Sequence, residues 1–162
     1  KTAEMARIAH GYGATIEAEL GHVCFQGEGE APNRYTEPRD ARDFVEKTGV
    51  DALAVSIGTA HGVYREKPVL DIGRLRQIRD AVRIPLVLHG GSGLSDDDFR
   101  ACVANGAAKI NVFTDLNLAG ARAWWENYAP GKGITDLSPL AIEAIREQAL
   151  KKLRVFGCAG KA

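Results

Sequence analysis

The sequence predicts an α/β fold in which parallel strands are covered by helices. Short apolar segments alternate with amphipathic segments along the whole chain, which makes four strand–helix units. Polar residues gather where the apolar segments end, as they do in (β/α)8 barrels, also called TIM barrels. No unit has a Gly-x-Gly-x-x-Gly turn followed by an acid about 20 residues on, which a dinucleotide-binding sheet requires. We therefore expect residues 1–162 to be about the second half of a (β/α)8 barrel, with four βα units and C-terminal helices.

The first part of the chain contains two of these units. Residues 14–20 alternate between apolar side chains on one face and Glu17 and Glu19 on the other, which indicates a strand. Glycine at position 49 marks the end of a helix that Pro38 begins. The predicted elements are a helix at 2–10, a strand at 14–20, a helix from Pro38 to about Lys47, a strand at 53–58 and a helix at 71–82.

The second part contains the other two units and a terminal helix. Ser95 is a typical N-cap, and the acids that follow it suit the first turn of a helix. Ser138 followed by Pro139 has the same pattern and predicts the start of the last helix. The predicted elements are a strand at 85–90, a helix after Ser95, a strand at 109–114, a helix containing Trp124 and Trp125, and a helix from about Ser138 to Leu153.

Composition excludes several classes of protein. Lys plus Arg and Asp plus Glu number 21 each, so we expect no nucleic-acid partner. No apolar run approaches the roughly 20 residues of a membrane span, and there is no signal peptide, so we expect no membrane partner. The cysteines Cys24, Cys102 and Cys158 form no CxxC pair, which favours a reduced, cytoplasmic protein. The chain opens without methionine, so we expect upstream sequence to be missing.

Two histidines follow neighbouring strands, and each precedes a glycine. His61 lies after the second predicted strand and His89 at the end of the third. Because the carboxyl ends of parallel strands meet at one edge, both rings can converge on a catalytic zinc, which takes about three protein ligands. The alternative is that each histidine only bonds a loop carbonyl. Glu17 and Glu19 share one face nearby, where a cation or an arginine would have to compensate them.

Glycine-rich residues after the third strand predict an anion site. Gly90, Gly91 and Ser92 offer bare backbone N–H groups and a hydroxyl, and residues 111–114 open a helix whose amides favour phosphate. The alternative is that the glycines only make tight turns. The long loop at 22–35 contains Glu28 and is either an active-site lid that carries an acid or base, or a solvated loop.

Taken together, these segments resemble the class II, zinc-dependent ketose-bisphosphate aldolases of the fructose- and tagatose-bisphosphate type, over their C-terminal half. The matching motifs are EAELG at 17–21, TEP at 36–38, TGVDALAVSIGTAHGVY at 48–64, PLVLHGGSG at 85–93 and KINVFTDL at 109–116. The resemblance runs over essentially the whole chain.

The resemblance implies a role for individual residues. His61 and His89 match two of the three zinc histidines, Glu19 matches a carboxylate at a second or alternative metal position, and Glu28 is the nearest match to a proton-moving glutamate of the mobile loop. The zinc stabilises the enediolate of the ketose as a Lewis acid. The residues that match the dihydroxyacetone phosphate site are Gly62, Gly90, Gly91, Ser92, Asn111, Val112, Phe113 and Thr114.

The resemblance also implies an activity. The protein would cleave and condense a ketose bisphosphate, with dihydroxyacetone phosphate and glyceraldehyde 3-phosphate as the products of cleavage. Zn2+, a monovalent cation, a sugar-phosphate substrate and a homo-oligomer (dimer or tetramer) belong to the same expectation. Fructose, tagatose and deoxy-sugar-acid phosphate substrates stay open.

The family's catalytic aspartate and first zinc histidine have no counterpart in this sequence. We therefore expect the segment alone to be inactive. Two other interpretations stay open, a phosphate-binding barrel enzyme without a metal and a non-catalytic phosphate-binding half-barrel.

Overall fold

The computed structural model describes residues 1–21, 35–62 and 68–161. Within these ranges, helices and strands alternate as the sequence predicts. The elements are α1 (Thr2–Gly11), β1 (Glu17–Leu20), α2 (Pro38–Thr48), β2 (Ala52–Val55), α3 (Ile72–Ala81), β3 (Leu86–Leu88), α4 (Asp96–Ala104), β4 (Ala107–Ile110), α5 (Thr114–Asn127) and α6 (Ile134–Val155).

The four described strands form one parallel sheet in the order β1-β2-β3-β4. Each strand therefore pairs with the next one along the chain, and a helix crosses over between them. Glu17 and Ala52 begin the register of the first pair, and Leu53 lies beside Leu86 in the second. The predicted α/β class with parallel strands is confirmed.

The core lies around β2 and β3. Leu53 and Val55 of β2 and Leu86 and Leu88 of β3 are at most 1% exposed. Strands covered on both faces have continuous apolar sequences, which is why these two segments show no alternation. The helices cover them with side chains such as the fully buried Phe99, and each such side chain contributes about 1.5–3 kcal/mol of hydrophobic stabilisation.

Two predicted helix ends are confirmed. Gly49 follows α2 with φ 69°, in the left-handed region, and its N–H donates to the Val45 carbonyl. Ser95 caps α4, because its Oγ accepts from the Asp98 N–H at 3.2 Å, while the Asp98 carboxylate accepts from the Ser95 N–H at 3.1 Å. This reciprocal pair satisfies two N–H groups that the helix itself leaves unpaired.

Two predicted boundaries were wrong. The strand predicted at 109–114 is β4, which ends at Ile110, and Thr114 is already the first residue of α5. The last helix begins at Ile134, since the Asp136 carboxylate accepts from the Gly133 N–H at 2.8 Å and ends the chain's extended course there. Pro139 consequently lies inside α6, not at its start.

The chain divides into two compact units, Lys1–Asn111 and Val112–Ala162. The first holds the sheet and α1 to α4. The second is the pair α5 and α6, joined by a mostly buried ion pair of 2.7 Å between Lys152 and Asp115. None of the helices in the described ranges combines the length and the apolarity needed to cross a membrane.

Candidate active site

The residues predicted to hold a metal lie in the first unit, on the sheet and just beyond its strands. His89 directly follows β3, Glu17 and Glu19 are in β1, and His61 lies in the loop after β2. The His61 and His89 ring centroids are 6.1 Å apart, with the ring planes tilted by 53°. Two imidazoles that bind one tetrahedral zinc have centroids about 5 Å apart, so a small side-chain movement would bring both rings to one ion.

The His89 ring lies between two carboxylates of β1. Its Nε2 is 3.2 Å from Glu17 Oε1, and its Nδ1 is 2.8 Å from Glu19 Oε2. The side chains of His89, Glu17 and Glu19 are 19%, 28% and 35% exposed, so water reaches this group but does not surround it. The carboxylates of β1 thus share the imidazole as a common partner.

A lysine compensates the second charge of this cluster. Lys109 of β4 places its Nζ 2.8 Å from Glu17 Oε2. Burial by itself would raise the pKa of Glu17, but the hydrogen bonds and charges of Lys109 and His89 outweigh it and lower that pKa below its ordinary value. The sequence had led us to expect a metal cation or an arginine beside these acids, and the structure brings Lys109 to Glu17.

The donor chemistry suits zinc, although the set is incomplete. Two imidazoles and a carboxylate are donors that zinc prefers, and they are brought together here. In the described ranges, however, no three His, Cys, Asp or Glu side chains are arranged to hold a metal. The reason is visible at His89, since both of its ring nitrogens face carboxylates. Metal binding by His61, His89 and Glu19 stays a prediction.

The predicted glycines of the anion site have different surroundings. Gly62 has φ 96°, and a Cβ built on it would meet nothing within 4 Å, so a ligand could approach its backbone. A Cβ on Gly90 would lie 2.4 Å from the Ala60 carbonyl oxygen, and one on Gly91 would lie 2.9 Å from that of Asn111. Close packing between loops therefore requires glycine at 90 and 91 whether or not an anion binds.

A family model described as "Fructose-bisphosphate aldolase class-II" matches residues 1–161. The chain belongs to this aldolase family. The aldolase resemblance noted from the motifs is thereby confirmed, and the family supports aldolase function in general.

Relatives of this aldolase chain are similar over about half of their own length. The curated Escherichia coli (strain K12) protein with the name "Uncharacterized protein YdjI" is 43% identical over 99% of this chain and 58% of its own. The crystal structure of the YdjI aldolase superposes with a TM-score of 0.86 at 42% identity, over 99% of this chain and 56% of that one. The fructose-bisphosphate aldolase of Campylobacter jejuni gives a TM-score of 0.71 at 25% identity, over 96% and 54%. The predicted half of an aldolase barrel is confirmed.

The remaining predicted site residues of this aldolase chain are divided between its two units. Ser92 is buried, and the Asn111 N–H donates to the Leu88 carbonyl, so Asn111 extends the pairing of β3 with β4. Val112 and Phe113 open the second unit, followed by Thr114 at the start of α5. Their role in phosphate binding stays a prediction. Glu28 lies outside the described residues.

Sequence reasoning missed Thr36, which joins the ends of β1 and β2. Its hydroxyl donates to the Leu20 carbonyl at 2.5 Å and accepts from the Ser56 N–H at 2.9 Å, and the residue is 2% exposed. The TEP motif was interpreted only as a helix start, although a threonine two residues before a helix proline has no capping task of its own. Lys109 was also missed, and its signal was a charged residue inside an apolar strand segment.

Arg74 of α3 holds the same loop from the outside. It donates to Glu37 at 2.6 Å and to Asp71 at 3.1 Å, and its guanidinium lies 5.5 Å from the centroid of the Tyr35 ring. Those two carboxylates raise the pKa of Arg74 further above its ordinary value. Residues 35–37 are thus fixed where they re-enter the described structure.

Proposed function

We propose that the full-length protein carrying this chain is a metal-dependent aldolase of ketose bisphosphates. It would cleave its substrate to dihydroxyacetone phosphate and glyceraldehyde 3-phosphate, and catalyse the reverse condensation. The observation that carries the proposal is the approach of His61 and His89 beside Glu19, in a chain of the class-II aldolase family. Imidazoles at the ends of neighbouring strands suit a catalytic zinc with one open position.

Each residue would have a distinct task. His61 and His89 would hold the metal, with a further ligand from outside this chain, and Glu19 would lie beside them as an alternative donor. A zinc ion bound there supplies a Lewis acid that polarises the ketose carbonyl. The exposed backbone of Gly62 is open to an anionic group, which supports a place for a phosphate oxygen.

Other parts of the proposal rest on the family resemblance alone. Glu28 would move the proton at the carbon that becomes nucleophilic, and a monovalent cation would accompany the zinc. The homo-oligomer also stays a prediction, as does the choice between fructose and tagatose substrates. Residues beyond the metal would make that choice.

The decisive experiment is aldol cleavage by the full-length protein with and without a chelator. We expect cleavage of fructose or tagatose bisphosphate that chelation abolishes and zinc restores. His61→Ala and His89→Ala should each lower kcat/KM by about 1000-fold or more, since a Lewis acid contributes several kcal/mol to the transition state. His10→Gln removes an imidazole 41 residues from the site's sheet edge along the chain and should keep activity, because His10 pairs with Asp51 instead.

The two other interpretations predict different results. A metal-free phosphate-binding enzyme would turn over at the same rate in chelator. A non-catalytic phosphate-binding protein would give no cleavage even with zinc bound and the whole chain present. Zinc content measured by mass spectrometry on the same samples separates these cases.

A further inference from the structure

A chain of polar contacts crosses the sheet from β4 to β1 and back to the end of β3. Lys109 Nζ lies 2.8 Å from Glu17 Oε2, Glu17 Oε1 lies 3.2 Å from His89 Nε2, and His89 Nδ1 lies 2.8 Å from Glu19 Oε2. The contacts join residues 92 and 72 positions apart in sequence. One imidazole thus has a separate carboxylate at each nitrogen.

The long reach of the Lys109–Glu17 contact shows that the sheet brings these side chains together. β1 and β4 are the first and last of the four described strands, so three strand spacings of about 4.8 Å separate them on a flat sheet. Side chains that stand perpendicular to a flat sheet would not meet over that distance. The sheet must therefore curve toward the face that carries Glu17, His89 and Lys109.

The two carboxylates are not equivalent. Glu17 is held at both oxygens, one by Lys109 and the other by His89. Among the described residues, His89 is the one contact that the structure shows for the Glu19 carboxylate. A histidine that binds a metal uses one ring nitrogen for the ion and keeps the other on an orienting acceptor, commonly a carboxylate. Glu17 is the anchored acceptor, and Glu19 is the one that can move.

We propose that the Lys109–Glu17 pair is a positioning device that holds His89 through Nε2 and thereby presents Nδ1 to the metal, with Glu19 giving way. This inference rests on the proposed metal-dependent function. It assigns Glu17 and Lys109 to orienting the ligand and leaves only Glu19 of the two acids as a candidate donor to the metal.

Stability arguments favour this role over a purely structural one. The Lys109 side chain is 53% exposed, and exposed ion pairs contribute only about 0–1 kcal/mol to folding. Partners that orient a metal-binding histidine have a larger effect, because their loss typically lowers metal affinity by about 10–100-fold. Zinc affinity and folding stability should therefore respond differently to the same substitution.

The test compares zinc affinity and thermal unfolding in the full-length protein. Lys109→Met is expected to weaken zinc binding by about 10-fold or more in competition with a chromophoric chelator. Lys109→Arg keeps the cation and should stay close to the wild type. Lys47→Met, an exposed lysine of α2, is the matched control and should change nothing. The unfolding midpoint of the zinc-free Lys109→Met protein should lie close to that of the control.

A second variant makes the test independent of one substitution. Glu17→Gln should weaken zinc binding by a similar factor, and the double variant should be little worse than either single one, because both residues act through His89. Unchanged affinity in a folded Lys109→Met or Glu17→Gln protein overturns the inference. Failure of both variants to fold overturns it as well, since the pair would then maintain the sheet. A wild-type protein that binds no zinc would instead refute the proposed function.

Discussion

At the scale of the residue, Thr36 shows how one small side chain connects two strands. Its hydroxyl lies between the Leu20 carbonyl and the Ser56 N–H, both at ends of strands that carry the candidate site. Because Thr36 is almost completely buried, neither partner can turn to water if the hydroxyl is removed. The position of the chain after β1 and β2 therefore depends on an oxygen atom at this place.

Replacing that hydroxyl should be costly although the shape is kept. Thr36→Val leaves the Leu20 carbonyl and the Ser56 N–H unpaired, and we expect a loss of about 1–3 kcal/mol for each group in the free energy of unfolding. Thr36→Ser keeps the hydroxyl and should lose much less. Urea unfolding of both variants measures the difference. Equal stability of the valine and serine proteins would contradict the role assigned to the hydroxyl.

At the scale of the element, α1 is attached to the sheet by a carboxylate between strands. Asp51, just before β2, accepts from the Ile16 N–H at 2.8 Å and contacts His10 Nε2 of α1 at 2.9 Å. The hydrogen bond of His10 is the main cause, followed by that of Ile16, of a pKa of Asp51 below its ordinary value. The helix and the start of β1 thus share one ionised group.

This arrangement predicts how stability changes with pH. Because the folded protein lowers the pKa of Asp51, its contribution is present above the unfolded value of 3.8 and is lost as the pH falls through the lower folded value. Asp51→Asn removes the charge at every pH. We expect the wild type to have the higher unfolding midpoint near about pH 5 and the two midpoints to converge near about pH 2. A difference that stays constant over this range would contradict the assignment.

At the scale of the whole molecule, the chain carries only part of the apparatus that its family needs. It spans just over half the length of the relatives it matches. In the described part, β1 and β4 are the outer strands of the sheet, and an outer strand presents unpaired backbone groups to its surroundings. The proposed metal site likewise has two histidines where a catalytic zinc takes about three ligands.

Residues 1–162 expressed alone are therefore expected to give no aldol cleavage. The sequence contains no counterpart of the family's catalytic aspartate or first zinc histidine, so proton transfer and tight zinc binding both lack a group. The measurement is the release of triose phosphate from fructose bisphosphate, with added zinc, compared with the full-length protein as the positive control. Cleavage above the blank by the isolated segment would refute this prediction.

Much of the fold could be predicted because it depends on local patterns. Ser95 and the acids after it specify the start of α4 within a few residues, and Gly49 ends α2 through its own left-handed backbone. The boundaries of β4 and α6 could not be predicted in this way. An apolar strand segment does not show where its ladder stops, and Ser138-Pro139 looks like a helix start although Asp136 sets one earlier.

By itself, the sequence determined the alternation of strands and helices, the aldolase family and the positions of His61 and His89 at strand ends, since these follow from periodicity and short motifs. Only the tertiary structure decided which partners those histidines have. Lys109 and Glu17 are 92 residues apart, and they meet because strand order, register and sheet curvature bring β4 to β1. No local pattern contains that information, because a contact across the sheet depends on the positions of all the strands between its two ends.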